Sequence, residues 1–326
     1  MTSRPIWINL GLLGALMALM GLIYWQHTGA RAVPGLMADL RSDDRQAQTL
    51  AALHLKQIGS AAKPAVPLLV ELATSSGTSA LHGEAASTLP FIDLSAARQV
   101  MIHYMPTLQD PDSQMRREAV SSLGALGPVA KSSVPSLFVM LDDPDTIVRD
   151  RVVRALGSIG LPPDMVVQGL IQALHDPEWT VRHAAVAQFA FSGYAGPQSL
   201  SVLQELTKDS NRTVAQLARS AVASAQRPIP VSVHLLTLSQ PVDRTYTLLQ
   251  LVKLGPRASE AVPKLTTLLS SEFPLERFLA ARALEAIGPA AKGAVEGLRR
   301  SIRDSDPIVR EAVAEALQAI EIHRQS

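Results

Sequence analysis

Arginine recurs along this chain at intervals of 33 residues, and this recurrence constrains the fold more than any other feature. The recurring arginines fall into two runs, which are Arg116, Arg149 and Arg182, then Arg244, Arg277 and Arg310. An aspartate stands six residues before four of them, at Asp110, Asp143, Asp176 and Asp304. A period of this length indicates an array of one repeated supersecondary unit, so the chain need not enclose a single core.

The segment from 134 to 160 indicates how each unit is built. Val134-Pro135 predicts the start of a first helix, because proline fits a first turn, where its missing N–H costs nothing. Asp143 and Pro144 predict the N-cap and the first residue of a second helix. Apolar residues then recur at helical spacing up to Gly160, which predicts a left-handed helix end. The unit is predicted as two antiparallel helices joined by a tight turn, with a short linker to the next unit.

Nine such units are predicted between residues 33 and 322. Their second helices should start near residues 43, 78, 111, 144, 177, 210, 241, 274 and 307. Pro90 is predicted to break the second helix of unit 2. The Pro-Ile-Pro sequence at 228–230 interrupts the array, because two prolines so close together cannot continue a helix. This divides the predicted solenoid into residues 33–226 and 231–322, with a change of curvature between them.

The first thirty residues differ from the rest of the chain. Residues 6–25 carry no charge, and twenty apolar residues in a helix span about 30 Å, the thickness of the hydrocarbon core of a bilayer. Trp7 and Trp25 lie near the ends of this run, as interfacial aromatic residues do. We therefore predict a transmembrane anchor at 6–25 after a short tail at 1–5. The alternative is a signal peptide cleaved near Ala30, which would give a secreted or periplasmic protein.

The side of the membrane follows from the flanking charges. Arg4 before the span favours an extracytoplasmic main domain, whereas the arginines after the span at 31, 41 and 45 favour the opposite orientation. The extracytoplasmic orientation is the prediction for this single-pass membrane protein.

Composition argues against several classes of function. The net charge of +1 is not that of a dedicated nucleic-acid binder, so no nucleic-acid partner is expected. The chain has no cysteine, which excludes disulfides, thiolate metal ligands and a cysteine nucleophile. Its eight histidines are never three or four residues apart, so no helix presents a histidine pair to a metal. We predict no catalytic residue, no metal and no cofactor, and no small-molecule substrate is evident.

The repeat resembles the HEAT repeat family, most nearly its short, phycobilisome-lyase-like form. The resemblance rests on Asp143-Pro144-Asp145, Val148-Arg149 and Leu156-Gly157-Ser158-Ile159-Gly160, and on their echoes across residues 33–322. It implies an all-α, HEAT-type α-solenoid whose turn aspartates and helix arginines form hydrogen-bond ladders between units. Carried over to this chain, it implies the pairs Asp110–Arg116, Asp143–Arg149, Asp176–Arg182 and Asp304–Arg310. Arg244 and Arg277 have no aspartate six residues earlier.

Functional residues are predicted beside the ladder, at positions one, two and five after its arginines, which should face outward. The candidate partner-binding surface consists of Arg117, Arg151, Arg154, Trp179 and His183. Its cationic members would favour an acidic partner. We predict an extended, curved, non-catalytic platform that binds a protein or peptide at the membrane. The alternative is a lyase, a chaperone-like protein or another enzyme of the HEAT-like family that uses the concave groove.

Overall fold

The computed structural model describes residues 30–75, 80–160, 163–192, 197–226, 238 and 244–321. All regular secondary structure in these ranges is helical, so the all-α prediction is confirmed.

The units alternate between first and second helices. The first helices are α1 (30–40), α3 (Val66–Thr74), α5 (Leu94–Tyr104), α7 (Val134–Val139), α9 (Pro163–Leu174), α11 (Pro197–Leu206), α14 (Val262–Leu268) and α16 (Val295–Ser301). The second helices are α2 (Arg45–Ile58), α4 (Ala80–Ile92), α6 (Ser113–Ala125), α8 (Thr146–Ile159), α10 (Trp179–Ser192), α12 (Arg212–Gln226), α13 (Arg244–Leu254), α15 (Pro274–Ile287) and α17 (Pro307–Glu321). Each second helix starts at its predicted position or two to three residues later. The prediction that Pro90 breaks α4 is wrong: the helix includes Pro90 and continues two residues past it to Ile92.

Within the described ranges, four linkers between units are 3-10 helices, where the sequence pattern predicts only short connections. They span Gly59–Ala65, Gly127–Ser133, Gly255–Ala261 and Gly288–Ala294. Each carries an alanine three residues after its glycine, and all four of these alanines are fully buried: Ala62, Ala130, Ala258 and Ala291. The linkers therefore contribute to the core, and a unit that has one consists of three helical pieces. Two shorter 3-10 helices, Pro106–Gln109 and Met140–Asp142, follow α5 and α7.

The N-cap of α8 is Asp145, two residues after the predicted Asp143. The Asp145 carboxylate accepts hydrogen bonds from the amides of Ile147 and Val148, while Asp143 accepts one from the amide of Asp145 at 2.8 Å. Pro144 therefore lies in the turn and not in the helix. This places the Asp143 side chain outside the helix, where it is available to a neighbouring unit.

Gly160 ends α8 with φ 68° and ψ 164°. The positive φ agrees with the prediction, but the ψ value lies far from that of a left-handed helical residue. Only glycine adopts this combination readily, because any side chain would be strained there. The described residues with positive φ are all glycines, at positions 59, 127, 160, 255 and 288.

Consecutive second helices pack side by side and form the core of the array. Contacts run in order from α2 to α12 and again through α13, α15 and α17. In α8 the predicted apolar stripe is buried, with Val148, Val152 and Leu156 fully shielded from solvent. Gly124 allows α6 to approach α8, since a Cβ at this position would lie 3.0 Å from Cα of Ala155. Each unit thus buries its apolar surface against its neighbours, as a solenoid requires.

The array also folds back on itself. Helix α13 contacts α10, and α17 contacts α5. Lys131, in the linker after α6, donates to Glu285 of α15 at 2.5 Å and to Glu315 of α17 at 2.7 Å. Residues 244–321 therefore lie against residues 30–226, and the prediction of an extended platform is wrong. Lys131 has counterparts at the same linker position in Lys63 and Lys292, but Glu285 and Glu315 have no acidic counterparts in other units, so the sequence period does not indicate this contact.

Within the described part of the chain, no helix is both long and apolar enough to span a bilayer. The predicted anchor at 6–25 and the Pro-Ile-Pro boundary at 228–230 lie outside the described residues.

Candidate functional site

All ladder arginines except Arg310 join their own unit to the one that follows it. Arg149 donates from Nε and Nη2 to the two carboxylate oxygens of Asp176, at 2.8 and 3.1 Å, and from Nη1 to the carbonyl of Asp143 at 2.9 Å. The same bidentate geometry occurs in the pairs Arg116–Asp143, Arg182–Asp209 and Arg277–Asp304. Planar guanidinium groups match carboxylates in this way, which makes the contact both strong and directional.

The pairs implied by the family resemblance are therefore wrong in their partners. Four of the arginines take their carboxylate from 27 residues later, in the next unit, and contact the residue six positions earlier only at its backbone carbonyl; these are Arg116, Arg149, Arg182 and Arg277. Asp110 accordingly accepts from its own turn, at the amide of Asp112, and contributes its carbonyl to Arg116. Arg310, in the last described unit, donates to the carbonyls of Asp304 and Ser305.

Arg244 has a different acceptor because serine replaces the usual turn aspartate at 271. Ser271 accepts the hydrogen bond from the Phe273 amide, which an aspartate accepts in other turns, and donates to the carboxylate of Glu276 at 2.6 Å. Glu276 then receives both contacts from Nη1 of Arg244, at 3.0 and 3.2 Å. Two residues thus share the two roles of one aspartate. The ladder has no arginine in unit 6, where Ala215 stands, and resumes at Arg244.

The burial and the pKa values of the ladder residues indicate that they have a structural role. The Arg149 and Asp176 side chains are 12% and 7% exposed, so water competes little for their contacts. The hydrogen bond from Arg182 lowers the pKa of Asp209, and the bond to Asp143 raises that of Arg116. Burial raises the pKa of Asp304, but hydrogen bonds from Arg277 and the Asp306 amide outweigh it and the net pKa is lowered. Asp209, Asp304 and Arg116 therefore remain charged at neutral pH, each held by its ladder partner.

Arg117 and Arg151, two members of the candidate surface, hold neighbouring units together instead of facing outward. Arg117 pairs with Asp145, the N-cap of α8, and this hydrogen bond lowers the pKa of Asp145 to about 2. Arg151 donates to the Ser121 hydroxyl at 2.8 Å and to the carbonyl of Arg117 at 3.2 Å. Both contacts join α6 to α8. Neither side chain is a free recognition group.

The other three members lie on the outer side of α8 and α10. Arg154 is 56% exposed and pairs with Asp150 one turn earlier in α8. Trp179 is 44% exposed in the first turn of α10, and its ring meets that of His183 edge to face, with 6.4 Å between centroids. Because the charge of Arg154 is already compensated, the structure weakens the case for an acidic partner.

Two residues of α10 that were predicted to face outward are buried, which makes the exposed surface smaller than predicted. Ala184 and Ala187, which the ladder spacing placed outward, are buried, since α10 contacts α8, α12 and α13. Ile147, in the first turn of α8, is 47% exposed and was missed because its position falls before the ladder arginine. We define the outer face of α8 and α10 as Ile147, Arg154, Trp179 and His183. It combines two large exposed apolar side chains with polar neighbours.

A group of ionic residues lies where the two segments meet. Arg98 of α5 pairs with Glu311 of α17, and Arg282 of α15 pairs with Glu285 and Glu315, which also bind Lys131. The hydrogen bond from Arg98 lowers the pKa of Glu311. We call these six residues the ionic clamp, and all of them except Glu285 line a cleft of about 430 Å³. Three cations face three carboxylates, so the clamp is internally balanced and presents no net charge to a ligand.

The described ranges hold no group of three or more histidine, aspartate or glutamate side chains placed to bind a metal ion.

Comparison with known proteins places this geometry in a family. The family model described as HEAT repeats matches residues 103–166, 134–224 and 229–322, together about two thirds of the chain. No curated protein matches the sequence.

The sequence and fold are also similar to several solved structures. An engineered protein is 22% identical, with 88% of each chain covered and a TM-score of 0.37. A designed armadillo repeat protein in complex with the peptide (KR)4 is 18% identical, covering 59% of this chain and 98% of its own, with a TM-score of 0.38. YibA of Escherichia coli is 15% identical, covering 97% of this chain and 99% of its own, with a TM-score of 0.40.

Proposed function

The chain belongs to the HEAT repeat family, and we propose that it is a non-catalytic scaffold, held at a membrane by residues 6–25, that binds a protein or peptide partner. The observation that carries this proposal is the exposure of Trp179 and Ile147 in the first turns of adjacent second helices. Large aromatic side chains of this kind supply much of the binding energy at protein interfaces.

The outer face of α8 and α10 favours a partner that offers apolar side chains. The Trp179 ring is held by His183 one turn later, so binding orders it at little further entropic cost. Arg154 is paired with Asp150 of the same helix, so it adds no uncompensated charge to this face. The ladder keeps α8 and α10 in fixed register through Arg149 and Asp176, which gives the partner a rigid surface.

The membrane part of the proposal rests on the twenty uncharged residues at 6–25 and their aromatic ends. A domain that begins within a few residues of such an anchor would stay close to the bilayer. We therefore place the partner at or near the membrane, with the extracytoplasmic side favoured.

Site-specific photocrosslinking in native membranes tests the partner surface. A photoreactive phenylalanine analogue replaces Ile147, and the control variant carries it at Tyr246, which is 68% exposed on the other segment. We expect one polypeptide to be crosslinked at 147 and not at 246. Trp179→Ala should abolish this crosslink, because removal of an interface anchor costs about 2–4 kcal/mol of binding.

The thermal unfolding of Trp179→Ala must match that of the parent for this loss to count as lost binding. Equal crosslinking of the same polypeptide at both positions, or a crosslink that survives Trp179→Ala, would show that this face is not the partner site.

A further inference from the structure

A second cleft lies between the two segments, separate from the outer face of α8 and α10. It encloses about 350 Å³, which is near the lower end of the range for small-molecule sites. Residues 30–226 contribute the ends of α2, α4 and α6, and residues 244–321 contribute α13 and α15. Most of its wall is apolar, with Phe91, Leu126, Val129, Leu249 and Phe278 among the lining side chains.

Lys56 and Lys253 are the charged residues among those that line this cleft, and no aspartate or glutamate accompanies them in the lining. Nζ of Lys56 lies 4.3 Å from the centre of the Phe91 ring, a cation–π contact. Within the described residues, no carboxylate lies at ion-pair distance from Lys253. The cleft therefore holds two positive charges in apolar surroundings.

Burial disfavours the charged form of both amines. It lowers the pKa of Lys253, and it lowers that of Lys56 although the charge of Glu84 acts in the opposite direction. Placing an ammonium group in apolar surroundings without a carboxylate is costly, and proteins normally avoid it. An anion in the cleft would remove this cost.

We propose that this cleft binds a small carboxylate with an apolar chain, whose carboxylate meets the Lys56 and Lys253 amines while the chain packs on the apolar wall. The two positive charges, with no carboxylate in the lining, select an anion, and the apolar wall selects a ligand with hydrocarbon surface. The volume favours a small molecule over a polypeptide segment. Because both segments line the cleft, such a ligand would also join residues 244–321 to the first segment.

Competitive labelling of the full-length chain tests the proposal one residue at a time. Lysines are methylated with formaldehyde and borohydride, with and without decanoate, and the rate at each lysine is followed by mass spectrometry. Lys63, whose side chain is 63% exposed, is the internal control in the same sample. The comparison ligand is decan-1-ol, which has the same chain without the charge.

Decanoate at about ten times its Kd should slow the labelling of Lys56 and Lys253 about tenfold, because about a tenth of the sites remain open. The rate at Lys63 should not change, and decan-1-ol should protect neither cleft lysine. Lys253→Met should raise the decanoate concentration needed to protect Lys56 about tenfold, since one charge-assisted contact is lost. Lys63→Met should leave that concentration unchanged.

Three outcomes would overturn the proposal. Lys56 and Lys253 could react at the same rate with and without decanoate, or decan-1-ol could protect them equally. An acidic peptide with apolar side chains and blocked ends could also protect them at lower concentration than decanoate, which would assign the cleft to a polypeptide. None of these results bears on Trp179, so the proposed partner surface stands or falls separately.

Discussion

At the scale of single residues, the ladder shows why its partners are ambiguous in the sequence. Asp143 lies six residues before Arg149 and 27 residues after Arg116, and in a repeat of 33 residues both assignments fit every regular unit. The irregular units resolve the ambiguity. Arg277 has an aspartate only at the later position, Asp304, and this departure indicates the true pairing. The regular repeat therefore predicts which residues form the ladder, and the units that depart from the repeat indicate which residues pair with each other.

Arg149→Ala should lower the free energy of unfolding by about 3 kcal/mol, because it leaves the buried Asp176 carboxylate without its cation. Arg310→Ala is the matched control, since Arg310 donates only to carbonyls of its own turn in the described part of the chain. It should cost about 1 kcal/mol. Urea unfolding monitored by circular dichroism measures both. Equal losses would mean that the bridge to the next unit adds nothing to the local contacts.

At the scale of helices, sequence spacing predicts the positions well and their ends less well. The second helices begin where turn chemistry places them, but Asp143-Pro144-Asp145 offers two possible N-caps, and local propensity does not choose between them. The structure chooses Asp145 because Asp143 is used by Arg116 of the preceding unit. The 3-10 linkers depend on the burial of alanines such as Ala130 against other units, so a local pattern could not predict them.

Substitution of two glycines that have no close neighbours distinguishes the effect of backbone strain from that of steric contact. Gly288 has φ +66°, Gly83 lies within α4 at ordinary φ, and a Cβ at either position would meet no atom within 4 Å. Gly288→Ala should lower the free energy of unfolding by about 1–3 kcal/mol through strain. Gly83→Ala should raise it by up to about 1 kcal/mol, because alanine favours the helix. Thermal unfolding, measured at one heating rate, shows whether each substitution raises or lowers the stability. If Gly288→Ala left the stability unchanged, the linker would have relaxed to accommodate the side chain.

At the scale of the whole molecule, the contact between segments changes what the repeat implies. A regular array predicts contacts between neighbours alone, whereas the ionic clamp joins residues more than 150 positions apart, such as Lys131 and Glu285. Glu285 and Glu315 hold positions in second helices that a repeat pattern treats as variable surface. This is why the clefts between the segments could be assigned only from the structure, whereas Arg154, Trp179 and His183 of the outer face are predicted from the sequence.

Removing Lys131 should loosen this contact between the segments. Lys131→Met leaves Glu285 and Glu315 sharing Arg282 and should lower the free energy of unfolding by about 2 kcal/mol. Arg299→Met, which breaks the exposed pair with Glu321, is the control and should cost less than about 1 kcal/mol.

The chain has no cysteine, so Ile102→Cys and Ile302→Cys introduce unique spin-label sites, one on each segment. Pulsed electron paramagnetic resonance measures the distance between the two labels. This distance should be short and well defined when Lys131 is present, and longer and more broadly distributed when Lys131→Met is added. An unchanged distribution would show that apolar packing alone holds the segments together.

The forward reach of each ladder arginine gives the array a polarity. Loss of units from the amino end leaves an aspartate such as Asp143, which still accepts the amide of its own turn. Loss of units from the carboxyl end removes the carboxylate partner of an arginine such as Arg149. Its guanidinium group is then an unpaired positive charge at the truncated end. The array is therefore better suited to shortening from its beginning, and each added unit at its end would find a donor already in position.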